Sequence, residues 1–115
     1  MPQNHVITIT WGDPITGILT LSDRGETDVD PGDTVTWNIG PNSQVASISA
    51  ISDDPNSTDV FSPDPAPFPN ANSSNWKGTV NSNIARNSIE TYTICWVATT
   101  GVIPPCYDPI IKVKP

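Results

Sequence analysis

Proline interrupts this chain thirteen times in 115 residues, and between the interruptions no window of ten or more residues places apolar side chains at three-to-four spacing. Proline removes a helical hydrogen bond and clashes with the preceding turn, and a helix needs that spacing to turn one face to a core. An all-β chain follows. Its apolar residues lean to Val, Ile, Trp and Tyr, which suit a pleated, half-buried surface. The length is that of one domain, so residues 1–115 are read as a single β-sandwich.

The sharpest strand signal is Asp30-Pro31-Gly32-Asp33 followed by Thr34–Ile39. Pro-Gly sets a turn, and Val35 and Trp37 then alternate with Thr34, Thr36 and Asn38. Around it, His5–Trp11 reads as a first strand with Ile7, Ile9 and Trp11 on one face. Ile18–Ser22 is a second, with Leu19 and Leu21 inward, and Thr27–Val29 a short third. Val45–Ser52 is small-sided, with Ile48 on one face and Val45 and Ile51 on the other. Asn75–Val80 is a short strand, and Asn81–Ser88 a loop with room for one helical turn. Ile89–Ala98 carries bulk on both faces, as a central strand would. Ile110–Lys114 closes the chain with alternating lysines, a usual way to blunt an exposed edge.

Asp53–Ser74 has no periodicity and is rich in Pro, Asp, Asn and Ser. A loop of this length is usually functional or disordered. It is read as an ordered flap anchored by Val60, Phe61 and Phe68.

Cys95 and Cys106 are the only cysteines. If Thr100-Gly101 makes a two-residue turn, Thr99 faces Val102 and Cys95 falls opposite Cys106, close enough for a disulfide. The alternative is two free thiols in a reducing compartment. No histidine is placed to activate either as a nucleophile.

The net charge is −7, with five basic residues. Such a surface repels nucleic acid and anionic membranes, and no run of eighteen apolar residues spans a bilayer. The polar start Met1-Pro2-Gln3-Asn4-His5 is not a secretory signal. A cytoplasmic location, or export by a route without a cleaved signal, is the expectation, and an extracellular one if Met1 is not the natural start.

Three segments resemble cupredoxins. Pro31-Gly32-Asp33-Thr34-Val35-Thr36-Trp37 is similar to their third-strand motif. Glu90-Thr91-Tyr92-Thr93-Ile94-Cys95 is similar to the strand that leads to the copper cysteine, and Tyr107-Asp108-Pro109-Ile110-Ile111-Lys112-Val113 to the last strand. The resemblance implies a Greek-key sandwich of about seven to eight strands, cupredoxin-like or immunoglobulin-like. The copper chemistry does not carry over. A blue-copper site needs two imidazoles and a thiolate, usually with an axial methionine. This chain has His5 alone, no His or Met after Cys95, and Met1 as its single methionine. No cofactor is expected.

Other constellations are sparse. Asp28, Asp30 and Asp33, and separately Asp53, Asp54 and Asp59, could offer oxygens to calcium, although neither spacing is that of an established loop. Asn56-Ser57-Thr58 and Asn72-Ser73-Ser74 fit the glycosylation pattern. No Ser/His/Asp arrangement, marked carboxylate pair or phosphate-binding loop is present. The expectation is a non-catalytic structural or interaction domain that assembles with copies of itself, as a ring or a filament, through edge strands and the flap. Trp76, Phe61 and Phe68 are its interface candidates. The alternative is a carbohydrate-binding module in which Trp76 stacks on a sugar beside the polar flap.

Overall fold

The computed structural model describes residues 3–54, 57–68 and 74–115. The described residues form nine strands and no helix: β1 (Asn4–Gly12), β2 (Leu19–Leu21), β3 (Glu26–Val29), β4 (Thr34–Ile39), β5 (Val45–Asp53), β6 (Ala66–Pro67), β7 (Trp76–Thr79), β8 (Ile89–Ala98) and β9 (Ile110–Val113). Two sheets result, ordered β2-β1-β4-β7-β6 and β3-β9-β8-β5. Pairs β1/β4 and β3/β9 are parallel and the others antiparallel. The chain is an all-β sandwich, and its strand count exceeds the expected seven to eight because β2 has three residues and β6 only two.

The core lies between the sheets. From one side come Ile7, Ile9, Leu19, Leu21, Val35 and Trp37; from the other Ile48, Ile51, Tyr92, Ile94, Trp96 and Ile111. Three indoles bury their rings here, and a buried indole N–H needs an acceptor. Trp37 Nε1 donates to the Tyr92 hydroxyl at 3.1 Å, Trp76 Nε1 to the Ile48 carbonyl at 3.1 Å, and Trp96 Nε1 to the Gly17 carbonyl at 3.2 Å.

Backbone irregularities overturn several side-chain assignments. A bulge between Ile9 and Trp11 shifts the β1/β2 register. Trp11 therefore leaves the inward face it would share with Ile7 and Ile9 and stands 46% exposed. Two further register shifts in β5 put Val45, Ile48 and Ile51 all inward, where strict alternation had split them. The last strand is no edge: β9 lies between β3 and β8, and Lys112 within it and Lys114 just after it reach neighbours instead of guarding a border. Lys112 pairs with Glu26 at 2.6 Å and Lys114 with Asp30 at 3.7 Å. Residues 81–88 make two tight turns, closed by Ile84 N–H to Asn81 O and Ser88 N–H to Ala85 O.

Two local devices fix the ends of strands. Asp33, buried behind the Pro31-Gly32 turn, accepts the backbone N–H groups of Gln3 and Asp30, each at 2.9 Å, and His5 Nε2 at 2.8 Å. It thereby stitches the start of β1 to the start of β4. At the opposite end, Gly17 (φ +81°) lies so close to the 102–106 segment that a Cβ would sit 2.0 Å from the Pro105 carbonyl oxygen. Only glycine fits both the angle and the gap.

Cys95 and Cys106 form a disulfide. Ile94 and Tyr107 exchange both ladder hydrogen bonds, at 2.7 and 2.9 Å. The next pair out, Cys95 and Cys106, is then of the closer kind that lacks ladder bonds, and its Cα atoms are 4.4 Å apart. The turn itself is wider than two residues: Ala98, not Thr99, faces Val102, donating to its carbonyl at 2.9 Å. The extra residue is absorbed before Tyr107, across Pro104-Pro105.

Burial works against ionised Asp33, but the donors from Asp30, Gln3 and His5 outweigh it and hold its carboxyl below the usual range. A depressed carboxyl stabilises the fold above its unfolded value of 3.8 and ceases to do so as pH falls through the folded one. Asp33→Ala is expected to lower the unfolding free energy by about 2–4 kcal/mol at neutral pH in urea titrations, with the gap to wild type closing below that value. Replacing both cysteines by serine is expected to cost roughly 2–3 kcal/mol in the same assay, as loss of a short covalent loop does.

Candidate functional site

The flap folds back over the start of β8 through side-chain and backbone hydrogen bonds. Ser57 Oγ accepts the Thr91 N–H at 2.7 Å and donates to the Ile89 carbonyl at 3.3 Å. Phe61 bridges to Val80, Ser62 N–H donates to Thr79 O, and Asn81 N–H donates to Val60 O. Val60 and Phe61 are buried, as anchors should be. Phe68 is not an anchor: it is 47% exposed, with the Lys77 ammonium 4.6 Å from its ring centre, and its segment is held by the short β6/β7 pairing instead. Phe61, packed edge-on against Trp37, is core and not an interface residue.

This fold-back gathers acid. Asp53 ends β5 opposite Tyr92, and the flap brings Asp59 and Asp64 beside it. One carboxylate oxygen from each of the three lies within 4.8 Å of the others. Beneath them is Glu90, on the core face of β8 in phase with Tyr92, Ile94 and Trp96, and 0% exposed. Its Oε1 accepts the Val60 N–H at 2.8 Å. Its Oε2 is buried and meets no donor, while the side chain contacts the Asp53 carboxyl, with which it forms a hydrogen bond only by sharing a proton.

Burial pushes the Glu90 carboxyl up to about 8, and the negative charges of Asp53 and Asp59 add to it, while the Val60 N–H works the other way. Asp53 is also raised, first by burial and then by the charges of Asp59 and Asp64. Among the described residues no Lys, Arg or His makes an ion pair with any of these four carboxylates. The arrangement is an acidic, all-oxygen cluster that rests on the core through Glu90. Glu90, wholly enclosed, is not placed to meet a substrate.

The structure sorts the sequence candidates unevenly. Asp53 and Asp59 come together, joined by Asp64 and Glu90, which spacing alone did not single out. Glu90 did carry a signal, since it shares the alternation of the inward residues of its strand. Asp64 carried none, because only the fold of the flap brings it there. The first trio does not converge on a cation: Asp33 is saturated by donors, Asp30 pairs with Arg86 at 2.7 Å, and Asp28 lies opposite Lys112 in the β3/β9 register. Asp54 stays with its backbone on Thr91 O. Trp76 is 8% exposed and its indole N–H is spent on Ile48. The sequons at Asn56 and Asn72 lie outside the described residues. A shallow depression lined by Asn42, Ser43, Gln44 and Thr99 contains no titratable group.

A protein-family model described as a domain of unknown function, DUF8788, matches residues 20–98, from β2 to the end of β8, and so includes all four carboxylates. No curated protein matches the chain.

A carboxyl whose folded value is raised favours folding while it is protonated, and that contribution is lost as pH climbs from 4.5 toward about 8. In buffer stripped of divalent cations, Glu90→Gln is therefore expected to melt several degrees higher than wild type at pH 8, with the difference gone near pH 4.5. Calorimetric melting curves across that range check it.

Proposed function

The chain belongs to the DUF8788 family, and we propose that it is a non-catalytic structural or interaction domain that associates with copies of itself through the β5 edge and the flap. The observation that carries the reading is the character of that edge. Sheet borders tend to be blunted by shortness, charge or proline. Here β2 has three residues, β6 has two and includes Pro67, and β3 carries Glu26 and Asp28. By contrast β5 is nine residues long, contains no proline and no charge before Asp53, and borders its sheet. Its two register shifts are the one blunting device it carries, and they end before the regular pairing of residues 50–53, where a second chain could add a strand.

Apolar surface at the other end supports the same reading. Ile15 (86% exposed) and Ile18 stand on one loop, Val102 and Ile103 (79%) on the other, and the two loops meet at Gly17 and Pro105. Clustered exposed apolar residues mark interaction surfaces. The resemblance of the β4, β8 and β9 segments to cupredoxins remains part of the proposal, as a scaffold whose surfaces do the work. The glycan alternative loses its platform, because the Trp76 ring faces the core.

Light scattering coupled to size-exclusion chromatography tests the proposal. Wild type is expected to exceed its 12.3 kDa chain mass increasingly with concentration. Ser49→Lys, which places a charge on an exposed position of β5, is expected to return it to the monomer. A wild type that stays monomeric at high concentration overturns the reading.

A further inference from the structure

We propose that Asp53, Asp59, Asp64 and Glu90 form a calcium site that fastens the flap to the ends of β5 and β8. Two observations carry it independently. The first is spacing: oxygens from the three aspartates lie within 4.8 Å of one another. Calcium holds oxygens at about 2.3–2.6 Å, so ligands on opposite sides of one ion are about 4.6–5.2 Å apart. A single calcium ion spans this group.

The second is Glu90 Oε2. Once Glu90 is ionised, its buried Oε2 faces no donor and carries the cost of its desolvation. Glu90 cannot turn away to solvent, because its other oxygen is held by the Val60 N–H and its strand is central. What it meets are the charge of Asp59 and the Asp53 carboxyl, which bonds to it only when one of the two carries a proton. Acceptors that face one another are reconciled by a proton or by a cation between them. Four carboxylates can present up to eight oxygens, enough for the six to eight that calcium takes. Magnesium retains water and prefers strict octahedra, while zinc seeks nitrogen or sulfur. The single histidine is engaged with Asp33 and both cysteines are in the disulfide.

The site does not depend on self-association. A cation there would join three segments that converge only in the folded chain: the end of β5, the flap and the start of β8. Binding would therefore stabilise the fold by mass action.

Calorimetric titration of calcium chloride into the whole chain, stripped with chelator, tests the proposal, with melting curves alongside. The expected result is a single saturable site and a melting temperature that climbs with the logarithm of calcium concentration. Magnesium at equal concentration is expected to do much less. Asp59→Asn and Asp64→Asn, both exposed on the flap and able to leave the fold intact by circular dichroism, are each expected to weaken binding by roughly tenfold or more. Glu90→Gln is expected to lose the calcium response while gaining stability in its absence. No heat and no shift at millimolar calcium would mean that a shared proton settles the cluster, and would overturn the site. So would unaltered binding in both flap variants, or equal responses to calcium and magnesium.

Discussion

The hydrogen bond from Trp37 to Tyr92 holds the two layers in register. The Trp37 indole on β4 reaches the Tyr92 hydroxyl on β8, and the rings meet edge-on with centres 5.6 Å apart. Phe61 of the flap closes against the same indole at 5.7 Å. Each ring comes from a different part of the chain, so no two of the three segments can settle without the third. Burial drives the Tyr92 phenol far above its ordinary range, which keeps it a neutral acceptor for the indole at any pH the fold survives. The Asp33 turn positions β4 for this meeting, and Ser57 and Val60 position the flap.

Among the described residues two carboxyl side chains are buried, Asp33 and Glu90, and they shift in opposite directions. Asp33 collects three donors and stays ionised at little cost. Glu90 collects one donor and two acidic neighbours. Both are shielded from solvent, but Glu90 lies deeper and has one donor, so burial raises it, whereas the donors around Asp33 outweigh a shallower burial. A chain that only needed to fill the core at position 90 would do better with an apolar side chain.

Much of the architecture is legible in the residues. The strand segments follow alternation closely in β4 and β8, where nothing disturbs the period, and the inward set there is the set that alternation names. Prediction fails where the backbone inserts a residue: one bulge expels Trp11 and two gather Val45, Ile48 and Ile51 on one face. A bulge depends on the neighbouring strand and leaves no mark in composition. Sheet order was equally hidden, so Lys112 and Lys114 looked like edge guards when they are ion-pair partners of β3 and of Asp30. The acidic site was half visible. Asp53 and Asp59 belong to an evident run, whereas Asp64 joins them only because the flap doubles back.

The contact of Gly17 with Pro105 sets a limit on sequence drift. The fold itself places little demand on Ile15 or Ile103, since each stands largely exposed. Position 17 admits no such freedom: any side chain would prise the two loops apart and strip the Trp96 indole of its acceptor. The outermost surface of this end is thus open to adaptation toward new neighbours, while the glycine contact beneath it stays fixed.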